Sequence, residues 1–242
     1  MEMYKYIKCH STLNPKLWNG FELKPEVKDK LMEIAKNFID YIEQSVVLHV
    51  VDIVLVGSNV NYNYNKDSDI DLHVVVKQCA YDGEKCKDNE DMSEVYDLLR
   101  GMFNSSYNIS IYGIPVELYI EETNNSSTNV SNGKYSLYYG WIKKPKKMEI
   151  ELDIKSINNL YNQLVDEFNS LKEKISLEKY SYQFNELDKL LSKIYSIRKE
   201  SLHKEGEFGV GNIVFKELRA NGYIETIKSL KQKIFEKMMS IK

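Results

Sequence analysis

The segment Val54–Val76, VLVGSNVNYNYNKDSDIDLHVVV, limits the possible folds of this chain more than any other. An apolar, β-branched run from Val50 to Val56 has the composition of a buried strand and stops abruptly at Gly57-Ser58. Ten residues, most of them in the polar, turn-rich stretch Asn59–Lys66, separate that dipeptide from Asp69. A second strand is predicted from Asp69 to Val76. Its alternation sends Ile70, Leu72, Val74 and Val76 to one face and Asp69, Asp71, His73 and Val75 to the other. Two carboxylates at i and i+2 on a strand project side by side. A divalent cation is the natural compensation for their repulsion, because hard cations take oxygen ligands.

A third carboxylate completes such a site. In Ile114–Ile120 the residues Val116, Leu118 and Ile120 alternate as core positions, which turns Glu117 and Tyr119 to the opposite face. Laid beside the Asp69–Val76 strand, this segment brings Glu117 to Asp69 and Asp71. Three acidic groups on adjacent strands can hold two metal ions about 3.5–4 Å apart, an arrangement suited to in-line phosphoryl transfer. Gly57-Ser58 supplies the anion side. Glycine lets the backbone approach a phosphate closely, serine adds a hydroxyl, and a short helix starting there would present N–H groups to an anion.

Gly57-Ser58, ten residues and then Asp69-x-Asp71, with the local string Ser68-Asp69-Ile70-Asp71-Leu72, resembles the signature of the polymerase-β-like nucleotidyltransferases. The spacing is that of the small bacterial branch, the minimal and aminoglycoside nucleotidyltransferases, and the chain is also similar to phage-encoded members. The resemblance covers roughly residues 26–140. It implies a mixed sheet flanked by helices, two Mg²⁺ ions, and transfer of a nucleoside monophosphate from an NTP, expected to be ATP, to a hydroxyl with release of pyrophosphate. By the same resemblance Asp69 and Asp71 bind both metals, and Glu117 binds the catalytic metal and helps deprotonate the acceptor. Gly57 and Ser58 then hold the β- and γ-phosphates, with Ser68 also at the phosphate. The acceptor is open among a small molecule, a protein and an RNA end. An alternative of a different class is an antitoxin-like or inactive member that acts by binding a partner protein.

The expected architecture is α+β: a nucleotidyltransferase fold over residues 1–145, followed by an α-helical region over 146–242. Helical spacing is seen in Pro25–Ser45 through Val27, Leu31, Ile34, Phe38 and Ile42, and again in Ser93–Phe103. Strands are expected in Asn108–Glu121, broken at Gly113-Ile114-Pro115, and in Tyr135–Trp141. Beyond the basic stretch Lys143–Lys147 only helical periodicity remains, in Ile154–Ile175, Tyr180–His203 and Asn212–Met239. Gly206–Gly211 reads as a helix–helix connection with Asn212 capping the next helix, not as a nucleotide loop.

Net charge is −3, which excludes a global electrostatic grip on nucleic acid. The three cysteines are odd in number. Cys79 and Cys86, separated by six residues, lack paired zinc spacing even with His73 nearby, so free thiols in a reducing cytoplasm are expected. Met1–His10 is polar, and no window approaches the ~20 apolar residues of a membrane span. The expectation is a soluble cytoplasmic protein. Lys66, the Lys143–Lys147 run beside Tyr138, Tyr139 and Trp141, and Arg198, Lys199, Lys216 and Arg219 read as solvated cations. The Lys143–Lys147 run also has the makings of a small phosphate- or RNA-contacting patch.

Overall fold

In the computed structural model, residues 9–77, 92–123, 132–147, 152–174 and 180–240 are described. The chain divides into two compact units, Met1–Met148 and Glu149–Lys242. The acidic Ala80–Asp91 loop, Cys79, Cys86 and most of the Thr123–Gly133 loop lie outside the described residues.

The first unit opens with a short hairpin, β1 (Trp18–Asn19) and β2 (Glu22–Leu23), which leads into α1 (Pro25–Ile42). Strand β3 (His49–Val56) and strand β4 (Ile70–Lys77) follow. Next come α2 (Ser93–Ser106), β5 (Ser110–Ile111), β6 (Ile114–Glu122), β7 (Lys134–Ser136) and β8 (Gly140–Lys143). Strands β3 to β8 form a mixed sheet in the order β5-β6-β4-β3-β7-β8. Within it β4 runs antiparallel to β3 and parallel to β6.

Proline sits in the first turn of α1, where its missing N–H costs no helical bond. The helix then buries the apolar stripe Val27, Leu31, Ile34, Phe38 and Ile42. That stripe, with Tyr96 and Phe103 of α2, packs on the sheet face carrying Ile53, Leu55, Ile70, Leu72, Val74, Val76, Val116 and Leu118. One face of the sheet is thus committed to the core, which frees the other for chemistry. A bulge in β3 between Val50 and Asp52 re-phases the alternation, so that Val50 packs on the core while Val51, Val54 and Val56 join Val75 in a separate small cluster. Leu72 is fully buried at the centre of the sheet, and Leu72→Ala should cost about 2–5 kcal/mol in chemical denaturation.

Strand β6 is nearly an edge strand, because β5 covers only its first two residues. Asn104 of α2 substitutes for a neighbour there. Its amide donates to the Leu118 carbonyl at 2.9 Å and accepts from the Leu118 N–H at 3.2 Å.

The second unit contains α3 (Ile154–Lys174), α4 (Tyr180–Glu205), α5 (Val210–Ala220) and α6 (Tyr223–Met239). Among the described residues no strand follows β8, and no helix is long and apolar enough to cross a membrane. Three local expectations are corrected. Tyr135–Trp141 is a hairpin, β7 and β8, not one strand. The helix expected from Asn212 to Met239 is two, because Asn221-Gly222 closes α5 with Gly222 at φ 77°. Asn212 lies inside α5 and does not cap it. The Val210 N–H instead donates to Glu205 Oε2 at 2.9 Å, and the Gly211 N–H to Ser201 Oγ at 3.1 Å.

Candidate active site

Asp71 occupies the middle position of three neighbouring strands, opposite Val56 on β3 and Glu117 on β6. Asp69 immediately precedes β4. Its carbonyl accepts a 2.6 Å hydrogen bond from Asn59 Nδ2, which ties the return loop to the start of the strand. One carboxylate oxygen each from Asp69, Asp71 and Glu117 lies within 4.8 Å of the others, and all three residues are half-buried. Oxygen donors at this separation suit a hard divalent cation. Without one, three like charges are held together against their repulsion. The residues present therefore fit a Mg²⁺- or Mn²⁺-class ion.

Gly57 closes β3 at φ 76° and ψ −166°, a conformation essentially restricted to glycine. A Cβ on Gly57 would lie 1.8 Å from Asp71 Oδ2, so the bare backbone is what lets the turn and the carboxylate approach. The short helix expected after Gly57 is a single 3₁₀ turn, Ser58–Val60. A turn of three residues has no useful macrodipole. Any anion affinity here must come from local backbone N–H groups, and from the Ser58 hydroxyl once it turns to the anion. That hydroxyl donates to Ser68 Oγ at 2.8 Å, and Ser68 Oγ also accepts the Asn65 N–H at 2.9 Å. Gly57, Ser58 and Ser68 are thereby brought together beside Asp71, and Ser68 is buried.

The return loop is more ordered than its composition suggests. Asn59, Asn61 and Asn63 are buried. Asn61 Nδ2 donates to the Gly57 carbonyl at 2.6 Å, and Asn59 Oδ1 accepts from Asn14 Nδ2 at 2.8 Å. The Asn59 carbonyl takes the Trp18 indole N–H at 2.8 Å, so the N-terminal hairpin buttresses the loop. Side-chain amides thus satisfy the backbone of a segment that makes no sheet. Lys66 is exposed, as expected.

The sheet face next to the triad carries a polar network that residue types alone did not reveal. Tyr119 donates its hydroxyl to Glu117 Oε2 at 2.6 Å. Its ring stacks on His73 at a centroid separation of 4.6 Å, and the Arg100 guanidinium lies 4.7 Å from the same centroid. Burial, that hydrogen bond and the neighbouring carboxylates push the Tyr119 hydroxyl above its ordinary 10.0. His73 Nδ1 lies 3.3 Å from Glu121 Oε2, and Lys134 Nζ lies 3.2 Å from Glu121 Oε1. His73 therefore faces Glu121 and Tyr119. The one available signal in the sequence was the shared strand face of Glu117 and Tyr119.

A family model described as a nucleotidyltransferase domain matches residues 31–195. The match takes in the carboxylate triad and the Gly-Ser turn and continues into α4. No curated protein sequence matches the chain.

Proposed function

Because the chain belongs to the nucleotidyltransferase domain family, we propose that it transfers a nucleoside monophosphate, AMP from ATP, to a hydroxyl acceptor with release of pyrophosphate. The observation that carries this reading is the convergence of Asp69, Asp71 and Glu117 beside a glycine turn. Asp69, Asp71 and Glu117 would hold two Mg²⁺ ions, which when bound supply charge neutralisation at the α-phosphate and leaving pyrophosphate.

The chain's own groups do the rest. Gly57 and Ser58 receive the β- and γ-phosphates, the Ser58 hydroxyl turning its proton from Ser68 Oγ to a phosphate oxygen. Glu117 accepts the proton of the acceptor hydroxyl as its oxygen bonds to the α-phosphorus and the bond to pyrophosphate breaks. The nucleotidyltransferase fold occupies residues 1–145 in this reading, and the helical residues 146–242 act as an accessory region.

The test is incubation of the protein with each α-³²P-labelled NTP, Mg²⁺ and a host lysate. Label should enter one fraction, whether small molecule, protein or RNA, with ATP as the preferred donor, and EDTA should abolish transfer. Absence of labelling with all four NTPs would sink the catalytic reading and favour a chain that acts by binding a partner protein.

A further inference from the structure

We propose that Tyr119 is a positioning residue for Glu117: its hydroxyl, donated to Oε2, holds the carboxylate so that Oε1 is the oxygen presented to the cation and to the acceptor proton. The proposal rests on the nucleotidyl-transfer reading above and adds to it a residue that touches neither the cation nor the substrate.

Glu117 and Tyr119 stand at i and i+2 on β6, hence on one face, and their side chains meet at 2.6 Å. Glu117 is only half-buried and lies within 4.8 Å of two other carboxylates. Left untethered, it would relieve that repulsion by swinging toward water. The tether must itself be fixed to prevent this, and it is. The Tyr119 ring is held against His73 and Arg100. A phenylalanine would make the same ring contacts. The hydroxyl is therefore the part of this residue that packing does not require. A hydrogen bond from outside the ligand set that fixes a ligand's orientation is the common way in which proteins tune metal sites.

The test uses the full-length protein and Mn²⁺ binding, measured by calorimetry in the presence of a non-hydrolysable ATP analogue. Tyr119→Phe should weaken Mn²⁺ binding about 10- to 100-fold. The unfolding temperature should stay close to that of the wild type, and kcat should fall more than KM for the NTP rises. Glu117→Ala should weaken Mn²⁺ binding as well. Adding Tyr119→Phe to Glu117→Ala should change nothing further, because the alanine leaves no acceptor for the Tyr119 hydroxyl and Tyr119 acts through Glu117. Wild-type Mn²⁺ affinity in Tyr119→Phe, or an equal loss on either background, would overturn the role of Tyr119 while leaving nucleotidyl transfer standing. A wild-type protein that binds no Mn²⁺ would overturn both, a result told apart from the first by the wild type alone.

Discussion

Asp69→Asn and Asp71→Asn should each lower the rate of nucleotidyl transfer by several orders of magnitude while leaving the protein at least as stable as the wild type. Each substitution keeps the shape of the side chain and removes one charge from a set of three carboxylates whose oxygens lie within 4.8 Å. Metal-assisted charge stabilisation is worth several kcal/mol in such reactions, and each ~1.4 kcal/mol is about tenfold in rate. Stability should move the other way. In the metal-free protein the three carboxylates repel one another, so neutralising one leaves the unfolding temperature unchanged or raises it. Carboxylates that served only the fold would behave oppositely: their loss would destabilise the chain or do nothing. The deciding measurements are transfer rates and thermal unfolding of both variants, without and with Mg²⁺-ATP. Mg²⁺-ATP should stabilise the wild type and fail to stabilise either variant. If both Asp variants kept that ligand-induced stabilisation, Asp69 and Asp71 would not be the metal centre.

The two strands that carry the triad were legible because each has one face committed to the core. Leu72, Val74 and Leu118 must be buried, so period-two geometry leaves no choice for Asp71 and Glu117. The pairing of Asp71 with Glu117 was an inference about which strands are neighbours, and β4 and β6 do pair in that register. The Asn59–Lys66 loop was harder to read. Asparagine is usually exposed, and nothing in its composition distinguishes a solvated turn from one whose amides are turned inward to backbone carbonyls, as Asn59 and Asn61 are.

The β7–β8 hairpin is not legible in the sequence because its turn, Leu137-Tyr138-Tyr139, carries no turn-forming residue before Gly140. The break between α5 and α6 is concealed for a different reason. Asn221-Gly222 is an ordinary helix-stop signal, but the apolar periodicity on both sides continues across it. The Tyr119–Glu117 contact lay beyond sequence reasoning, since strand alternation assigns a face but not the direction in which a long side chain leans along it.

Gly57→Ala should cost about 100-fold or more in transfer rate, since an ångström-scale misplacement in a site can be worth that much. Two separate effects act at this position. The backbone at φ 76°, ψ −166° is strained for any residue with a Cβ, at a cost of about 1–3 kcal/mol. The added methyl would also stand 1.8 Å from Asp71 Oδ2. That oxygen is the far end of a side chain and can swing away, so the fold should survive with a lowered unfolding temperature. The position to which it swings is no longer the one it shares with Asp69 and Glu117, and Mn²⁺ affinity should fall together with the rate. Gly20→Ala separates the two effects. Gly20 also has a positive φ, 61°, but nothing lies within 4 Å of its added Cβ. It should lose less stability than Gly57→Ala and keep wild-type transfer. If Gly57→Ala and Gly20→Ala proved equally active, Gly57 would be a turn residue only, and the close approach of β3 to Asp71 would have no part in the chemistry.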